Sequence, residues 1–142
     1  MRTLPELSHH NLVLMAGNPD FIYCFIRKDI SYVQQIIQLA HAAYQAGKSF
    51  SEIPGVPHIC LFEVADTKEL KQAWRFLTDE RISFEMFFEP DNKMGYSSIV
   101  TTPISDMDQR AKFNQFRLYK ADTDLDEHTL HVLRNAMRKG IV

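Results

Sequence analysis

A run of six apolar, β-prone residues, Phe21–Ile26, ends at the charged sequence Arg27, Lys28, Asp29. A strand that alternates apolar and polar residues keeps one face in water, whereas a continuously apolar strand is covered on both faces. Because covering both faces of a sheet takes helices, this run predicts an α/β protein whose first strand lies in the interior of the sheet.

The segment after this strand predicts a helix from Ser31 to Ala46. Asp29 or Ser31 can cap its N-terminus, and Gly47 stands where a C-terminal cap is expected. Apolar residues recur every three or four positions, which is the pattern of a helix that packs one stripe against a core. The stripe consists of Val33, Ile36, Ile37, Ala40 and Tyr44.

Three more strands and a second helix follow in the sequence. Asp66–Glu69 matches a capping box, and the apolar residues after it repeat at helical spacing to about Glu80. The order of elements is β-α-β-α-β-β, and the connection Glu89–Tyr96 is too short for a helical crossover, so we expect a mixed sheet with helices on both faces. The three strands are His58–Val64, Ser83–Phe88 and Ser97–Thr102.

The chain after Ser105 is predicted to be helical in two places. Asp108–Tyr119 carries aromatic residues, and Asp126–Lys139 has apolar residues at helical spacing with cations in its last turns. Neither a linker nor a repeat divides the chain. Residues 1–142 are therefore expected to form one domain, with a core at 20–104 and a C-terminal helical extension at 105–142.

Composition excludes several classes of protein. The 142 residues are 45% hydrophobic and carry a formal net charge of -2, which fits neither a disordered chain nor a protein drawn to nucleic acid by its overall charge. A local basic patch remains open. Apolar stretches fall far below the ~18 residues of a spanning helix, and residues 1–18 lack the apolar region of a signal peptide. We expect a cytoplasmic protein without a membrane partner.

The cysteines and histidines lack the spacing of a metal site. Cys24 and Cys60 each lie in an apolar run and predict two buried thiols in preference to a disulfide. Motifs of the CxxC or HExxH kind do not occur in the sequence. The sequence therefore predicts no metal site.

Two carboxylates, Asp29 and Asp91, follow predicted strands, and each lies near a lysine, Lys28 or Lys93. Ligands of open α/β sheets gather at the carboxyl ends of the strands. A carboxylate near a lysine can orient water or act as a general base. The structural alternative is that Asp29 caps a helix and Asp91 forms an Asx turn.

The first helix also carries a row of uncharged polar residues within a ~60° sector. Because a solvated face normally carries Glu and Lys, this row predicts hydrogen bonds to a polar ligand, to a partner helix or to buried backbone. His41 is expected about 15 Å along the helix from Asp29, which favours a structural role, whereas Gln35 lies nearer the strand end. The row is Gln34, Gln38, His41 and Gln45.

The segment 110–120 alternates basic and aromatic residues, a pattern that suits phosphate contacts and base stacking. The alternative is a surface helix with its aromatic edge toward the core. The residues are Arg110, Lys112, Phe113, Phe116, Arg117, Tyr119 and Lys120.

Three segments resemble the type 2 peptidyl-tRNA hydrolase superfamily. Residues 21–46 contain an apolar strand, Arg-Lys-Asp, and the sequence Gln38-Leu39-Ala40-His41-Ala42-Ala43, similar to the family's Arg-x-Asp and Gln-x-x-His-Ala-Ala block. Residues 58–88 repeat strand, helix and strand, and residues 91–103 resemble the family's acidic loop and β-branched final strand. The resemblance covers about residues 20–104.

This resemblance implies a three-layer α/β/α fold with a four-stranded mixed sheet, often as a homodimer. It also implies hydrolysis of the ester between a peptide and tRNA, without metal or organic cofactor. On this basis Asp91 orients or activates water, Gln38 positions a polar group, and Lys93 faces the tRNA backbone. The expected substrate-binding residues are Lys28, Asp29, Gln34, Gln35, His41 and Ser98.

The chain departs from the family pattern at two positions of the expected site. Gln34 stands where the family has a lysine, and the loop after Asp91 lacks the family's threonine. Two alternatives therefore stay open. One is a protein of the same fold that binds RNA or another protein without catalysis, and the other is a hydrolase of some other small ester or amide.

Overall fold

The computed structural model describes residues 20–50, 53–121 and 127–140. The strands are β1 (Phe21–Arg27), β2 (His58–Val64), β3 (Phe84–Glu89) and β4 (Gly95–Thr101). The helices are α1 (Tyr32–Ser49), α2 (Thr67–Asp79), α3 (Met107–Ala111) and α4 (Glu127–Arg138), and short 3-10 turns span Asp91–Lys93 and Lys112–Gln115. The N-terminal segment to which the signal-peptide prediction refers lies outside the described residues.

The four strands form one mixed sheet in the order β2-β1-β4-β3, which confirms the predicted α/β fold. β1 pairs in parallel with β2, and β4 runs antiparallel to both β1 and β3. The two long helices cover opposite faces of the sheet. Ala42 of α1 packs with Cys24, whereas Leu70 of α2 packs with Phe25.

This topology gathers the strand ends that position the site. β1, β2 and β3 all run in the same direction, so their last residues, Arg27, Val64 and Glu89, lie at one edge of the sheet. The first residue of β4, Gly95, and the start of α1 lie at the same edge. We call this the carboxyl edge, and it is where α/β sheets bind ligands.

The start of α2 follows the predicted capping box. The Asp66 carboxylate accepts a hydrogen bond from the backbone N–H of Glu69 at 2.9 Å, so Asp66 is the N-cap. The Glu69 carboxylate reaches back to the N–H of Ala65 at 2.6 Å, one residue before the cap. Both interactions satisfy backbone donors that the first turn of a helix leaves without partners.

The orientation of α1 contradicts the prediction from periodicity. The predicted core-facing residues, among them Val33, Ile36 and Tyr44, are exposed, and α1 instead buries Gln35, Gln38, Ala42 and Ala46. The sheet face below α1 is lined near the site by the buried hydroxyls of Ser97 and Ser98, which hydrogen-bond Gln38. The face of α1 that packs on the sheet is therefore the one that carries amide and methyl groups.

The ends of α1 were predicted in part. Ser31 is the N-cap and accepts a hydrogen bond from the N–H of Gln34 at 3.2 Å, as one of the two alternatives expected. The predicted C-terminal cap at Gly47 is wrong, because the helix continues through Gly47 to Ser49 and Phe50 is its C-cap. An extended conformation at Phe50 ends the helix without the left-handed residue that a glycine cap supplies.

The segment after Ser105 packs against the body of the protein. The helix predicted over Asp108–Tyr119 is shorter than expected, and Phe113 and Phe116 after it enter the core. Residues 117–119 then run along the outer edge of β2, where the N–H of Tyr119 donates to the carbonyl of Leu61 at 2.8 Å. This pairing covers part of an edge strand that would otherwise offer open hydrogen-bonding groups.

Arg110, Phe113 and Phe116 of this segment line one cavity with Phe21, and the Arg110 guanidinium lies over the Phe21 ring. Phe113 is buried, Lys112 pairs with Glu80, and Arg117 pairs with Glu69. The core-facing alternative is therefore confirmed for Phe113 and Phe116, whereas Tyr119 is half-buried against Gln35 and Lys28. The second predicted tail helix is confirmed as α4, which ends at Arg138, one residue before the predicted end; its predicted first residue, Asp126, lies outside the described residues.

Two further observations concern the described residues. Cys24 and Cys60 are free thiols, as predicted, but only Cys24 is buried, whereas Cys60 is half-buried. Burial raises the pKa of Cys24 to about 12. Of the helices in the described ranges, none has the length and apolar composition needed to cross a membrane. Within those same ranges, His, Cys, Asp and Glu side chains do not gather in threes as they would around a metal ion.

Candidate functional site

Gln38 is the centre of a buried hydrogen-bond network beneath the carboxyl edge. Its side chain is fully buried between α1 and the sheet. The amide nitrogen donates to Gln34 Oε1 at 3.1 Å and to Glu89 Oε2 at 3.0 Å, while the amide oxygen accepts from the Ser97 hydroxyl at 2.8 Å. Because the amide uses both donor hydrogens and its acceptor, its orientation is determined by three separate elements.

Ser98 ties the same turn of α1 to β4. Its buried hydroxyl donates to the backbone carbonyl of Gln38 at 2.9 Å. Ser98 was expected to bind substrate, but this contact makes it a positioning residue that holds α1 on the sheet. Ser97, which was not singled out for a role of its own, is the residue whose hydroxyl reaches the Gln38 amide.

Glu89 is the carboxylate of the site that the sequence reasoning missed. It is the last residue of β3, one position beyond the predicted end of that strand. The hydrogen bond from Gln38 lowers the pKa of Glu89, and the backbone N–H of Asp91 and the charge of His41 act in the same direction. The sequence did contain a signal for Glu89, because a carboxylate at the C-terminal end of a strand is a candidate ligand-binding residue. Glu89 was not selected because the strand was predicted to end at Phe88, which placed Glu89 in the following turn.

His41 lies above this network on the exposed side of α1. Its ring stacks on Phe87 of β3, with the ring centroids 4.5 Å apart and the planes nearly parallel. The histidine is near enough to Glu89 to favour its charged form. His41 is therefore part of the candidate site because it is close to Glu89. The distance predicted between His41 and Asp29 does not exclude it.

Asp29 contributes to the site through Arg27. Arg27 is buried at the end of β1, and its guanidinium donates two hydrogen bonds to the Asp29 carboxylate, each of 2.9 Å. The same guanidinium donates to the carbonyls of Met94 and Tyr96 at 2.6 and 3.0 Å. Asp29 thus orients an arginine that holds the β3–β4 loop, and the helix cap proposed as its structural alternative is made by Ser31 instead.

The β3–β4 loop presents Asp91 and Lys93 to solvent. Its backbone takes the left-handed conformation at Asn92 and Lys93, with φ of 57° and 54°, and at Gly95 with φ of 72°. The backbone N–H of Asp91 donates to Glu89 Oε1 at 3.1 Å, so the loop is attached to the network at its first residue. A non-glycine residue in the left-handed region costs free energy, which fits a loop whose shape is imposed by its contacts.

Two predicted residues lie in a different environment. The Lys28 ammonium donates to the carbonyl of Lys120 at 2.7 Å and sits 4.3 Å from the centre of the Tyr119 ring. Gln35 donates to the carbonyl of Ile30 and accepts from the Tyr119 hydroxyl at 2.6 Å. Both side chains attach the tail segment to the body, so the contacts observed are structural.

Most of the predicted site residues therefore lie at the carboxyl edge and are connected there by hydrogen bonds. Gln34, Gln38, Glu89 and Asp91 form one hydrogen-bonded chain from α1 to the β3–β4 loop. Asp29 reaches the far end of the same loop through Arg27. The result is a buried polar base under an exposed loop that carries a carboxylate and an ammonium.

This arrangement has a definite chemical capacity. Glu89 is held ionised by its donors and suits the binding of water or a sugar hydroxyl, both of which donate to carboxylates. Asp91 offers a carboxylate that can take a proton from water, and Lys93 offers a positive charge for a phosphate or a polarised carbonyl. No family model and no curated protein matches the chain, so the chemistry rests on these residues.

Proposed function

We propose that the chain is a peptidyl-tRNA-hydrolase-like enzyme, which cleaves the ester between a peptide and tRNA at the carboxyl edge. One observation supports this most directly. The hydrogen-bonded chain Gln34–Gln38–Glu89–Asp91 connects the helix that carries the family-like Gln-x-x-His block to the acidic loop. In the resemblance those two blocks supply the site, and here they are in contact.

The proposed reaction needs an attacking water and a place for its proton. The Asp91 carboxylate accepts a proton from water as the water oxygen bonds to the ester carbonyl carbon. The tetrahedral intermediate then breaks its bond to the tRNA oxygen. That oxygen takes the proton from Asp91 and leaves as a hydroxyl, while the peptide leaves as a carboxylic acid.

The neighbouring residues have separate tasks in this proposal. Lys93 stabilises the negative charge that develops on the carbonyl oxygen, or binds the adjacent phosphate. Glu89 holds the N–H of Asp91 and so fixes the start of the loop. Gln38 fixes Glu89 in turn, which makes it a positioning residue.

A second candidate function is RNA or protein binding without turnover. The observation that favours it is the use of basic residues elsewhere in the fold. Lys28 contacts the tail, Lys112 pairs with Glu80, and Arg117 pairs with Glu69. Near the loop, Lys93 has to supply the charge that two or more lysines supply in the resembling family.

Turnover of a peptidyl-tRNA tests the hydrolase directly. The full chain is incubated with an N-acylated aminoacyl-tRNA, and release of the acyl amino acid is compared with spontaneous hydrolysis. We expect wild type to exceed the buffer rate, Asp91→Asn to lose at least 100-fold, and Lys68→Ala on α2 to match wild type. A wild-type rate equal to that of buffer contradicts the hydrolase.

Binding to uncharged tRNA separates the second candidate. If the chain binds tRNA without turnover, affinity that falls steeply with salt indicates phosphate contacts, because each contact releases counterions. In that case Lys93→Ala should reduce the salt slope by about one unit, whereas Lys68→Ala should leave it unchanged.

A further inference from the structure

A cavity lies between the sheet and the segment of the chain that contains α3 and the 3-10 turn after it. Its floor is formed by side chains of β1 and β2 on the face of the sheet that α2 covers. Its volume is about 530 Å³, which falls within the ~300–1,000 Å³ of pockets that bind small molecules. We call it the aromatic cavity after the residues Phe21, Tyr23, Phe62, Phe113 and Phe116, which line it.

The aromatic cavity is separate from the carboxyl edge in two respects. The Gln38 network lies on the face of the sheet that α1 covers, whereas Tyr23 and Phe62 of the cavity pack with α2 on the opposite face. Phe21 is also the first residue of β1, about 20 Å along the strand from Arg27 at its end. A molecule in this cavity is therefore a different ligand from the substrate proposed for the carboxyl edge.

Arg110 is the one charged residue among the described residues that line the cavity. Its guanidinium lies 4.1 Å from the centre of the Phe21 ring, where the face of the ring attracts a cation. Burial raises the pKa of Tyr23, and the hydrogen bond and charge of Arg110 oppose this effect, so the guanidinium is also close to the Tyr23 hydroxyl. One part of the cavity therefore presents a positive charge beside a hydroxyl, while most of the wall is apolar.

The charge of Arg110 defines the polar part of a ligand. A guanidinium has five N–H donors in a planar fork, and two of them match the oxygens of a carboxylate. No carboxylate of the described residues lines the cavity, so an anion that enters it meets no like charge in the wall. A phosphate ester carries a charge of about -2, and its second charge would be desolvated without a second cation.

The walls define the apolar part of the same ligand. Phe113 stacks on Tyr23 with the ring centroids 3.8 Å apart, and Phe116 meets Phe25 edge to face at 4.9 Å. Aromatic rings gain additional stabilisation from offset or edge-to-face contact with other rings. A cavity bounded by rings in both arrangements therefore favours an aromatic body over a purely aliphatic one.

We propose that the aromatic cavity binds a small aromatic carboxylic acid, with its carboxylate on Arg110 and its rings against Phe21 and Phe62. The ligand has access from solvent, because Met107 and Leu118 at the border of the cavity are 66% and 59% exposed. This site shares no residue with the proposed hydrolytic site, so the failure of either proposal leaves the other in place.

Isothermal titration calorimetry of the full chain with 2-naphthylacetate tests the proposal, and 2-naphthylacetamide is the uncharged control of nearly the same shape. We expect the acid to bind at one site and about 10-fold or more tighter than the amide, as a charged hydrogen-bonded pair requires. Arg110→Met keeps an apolar side chain and should abolish this preference for the acid. The matched control variant is Arg75→Met on the exposed side of α2, which should bind the acid like wild type.

Cys60 shows whether the ligand occupies this cavity. It lines the cavity and is half-buried, whereas Cys24 is buried on the other face of the sheet. Burial raises the pKa of Cys60, so its alkylation by iodoacetamide is measured at about pH 9, where more of the thiol is ionised than at neutral pH. We expect saturating 2-naphthylacetate to slow this alkylation at least 5-fold. Cys60→Ser measures the background reaction of Cys24.

The remaining outcomes overturn the proposal. If 2-naphthylacetate shows no saturable binding up to its solubility limit, the site does not exist. Equal affinity for acid and amide, or a preference that Arg110→Met leaves unchanged, excludes recognition of a carboxylate. Binding without protection of Cys60 places the ligand elsewhere, and tighter binding of octanoate contradicts the aromatic body. If Arg110→Met does not fold, the comparison of acid with amide and the protection of Cys60, both on wild type, still decide.

Discussion

Gln38 on α1 and Glu89 at the end of β3 are 51 residues apart in the chain and are joined by a hydrogen bond of 3.0 Å. The contact attaches the first helix to the last residue before the exposed loop. It also makes the position of that loop depend on a fully buried amide. The stability of the fold and the geometry of the candidate site are therefore linked through one side chain.

Replacing Gln38 by leucine should destabilise the protein by about 2–3 kcal/mol, because the buried Ser97 hydroxyl loses its acceptor and the shape is otherwise nearly conserved. Urea unfolding followed by circular dichroism measures the change. The matched control is Gln34→Leu on the same helix, where one hydrogen bond at a partly exposed position is lost. We expect less than about 1 kcal/mol there, and equal losses for the two variants would contradict a special role for Gln38.

Glu89 should make stability depend on pH below the ordinary range of glutamate. Its pKa is lowered in the folded state by the hydrogen bond from Gln38, so the unfolded chain binds the proton more readily. The stabilisation is therefore fully present above the unfolded pKa and is lost as pH falls through the lower folded pKa. We expect the free energy of unfolding to fall less steeply from about pH 5 to pH 3 in Glu89→Gln than in wild type.

The control for this pH effect is Glu85→Gln on the same strand. Among the described residues, Glu85 donates to or accepts from neither Gln38 nor the loop, so Glu85→Gln removes a carboxylate from β3 and leaves the Gln38–Glu89 contact in place. Urea midpoints at pH 7, 5, 4 and 3 give the comparison. Identical slopes for wild type and Glu89→Gln would show that the hydrogen bond does not favour the ionised form.

Lys93 and Arg81 form a matched pair of left-handed residues, with φ of 54° and 58°. Replacing either by glycine should stabilise the protein by about 0.5–1 kcal/mol, since the steric cost removed exceeds the entropy added to the unfolded chain. Only Lys93→Gly should lower tRNA binding or turnover, because Arg81 follows α2 and lies outside the site. Thermal unfolding and the tRNA assays together measure this trade-off, and a loss of function in Arg81→Gly would contradict it.

Arg27→Lys should cost about 2–3 kcal/mol, because an ammonium cannot reproduce the two bonds to Asp29 and still reach the carbonyls of Met94 and Tyr96. Arg75→Lys on the exposed side of α2 is the control and should change stability by less than about 0.5 kcal/mol. Hydrogen exchange of the β3–β4 loop should rise in Arg27→Lys. Unchanged exchange would show that the arginine does not hold the loop.

The elements of the fold were predictable because their signals are local. The apolar run at β1, the capping box at Asp66 and the turn residues before β4 each lie within a few positions of the structure they cause. The pairing of β4 between β1 and β3 decides the sheet order and depends on contacts more than 70 residues apart, such as Cys24 with Val100. Spacing along the chain predicted a mixed sheet but not this order.

The face that α1 buries could not be predicted from its period. A repeat of 3.6 residues shows which side chains share a face, but the partner decides which face is covered. Here the sheet presents the hydroxyls of Ser97 and Ser98. The side-chain amide oxygen of Gln38 accepts the hydrogen bond from Ser97, and the backbone carbonyl of Gln38 accepts the one from Ser98. The same long-range contacts explain why Glu89 was missed, since its main donor lies 51 residues earlier.

The stacking of Phe113 on Tyr23 has a consequence for synthesis of the protein. The two rings lie 3.8 Å apart between centroids, yet 90 residues separate them in the chain. At about 5–20 residues per second, Phe113 is synthesised roughly 5–20 s after Tyr23, so the Tyr23 ring lacks this partner during that time. Until then, this face of β1 can be covered only by residues made earlier, such as Phe62, so the aromatic part of the core is completed late in synthesis.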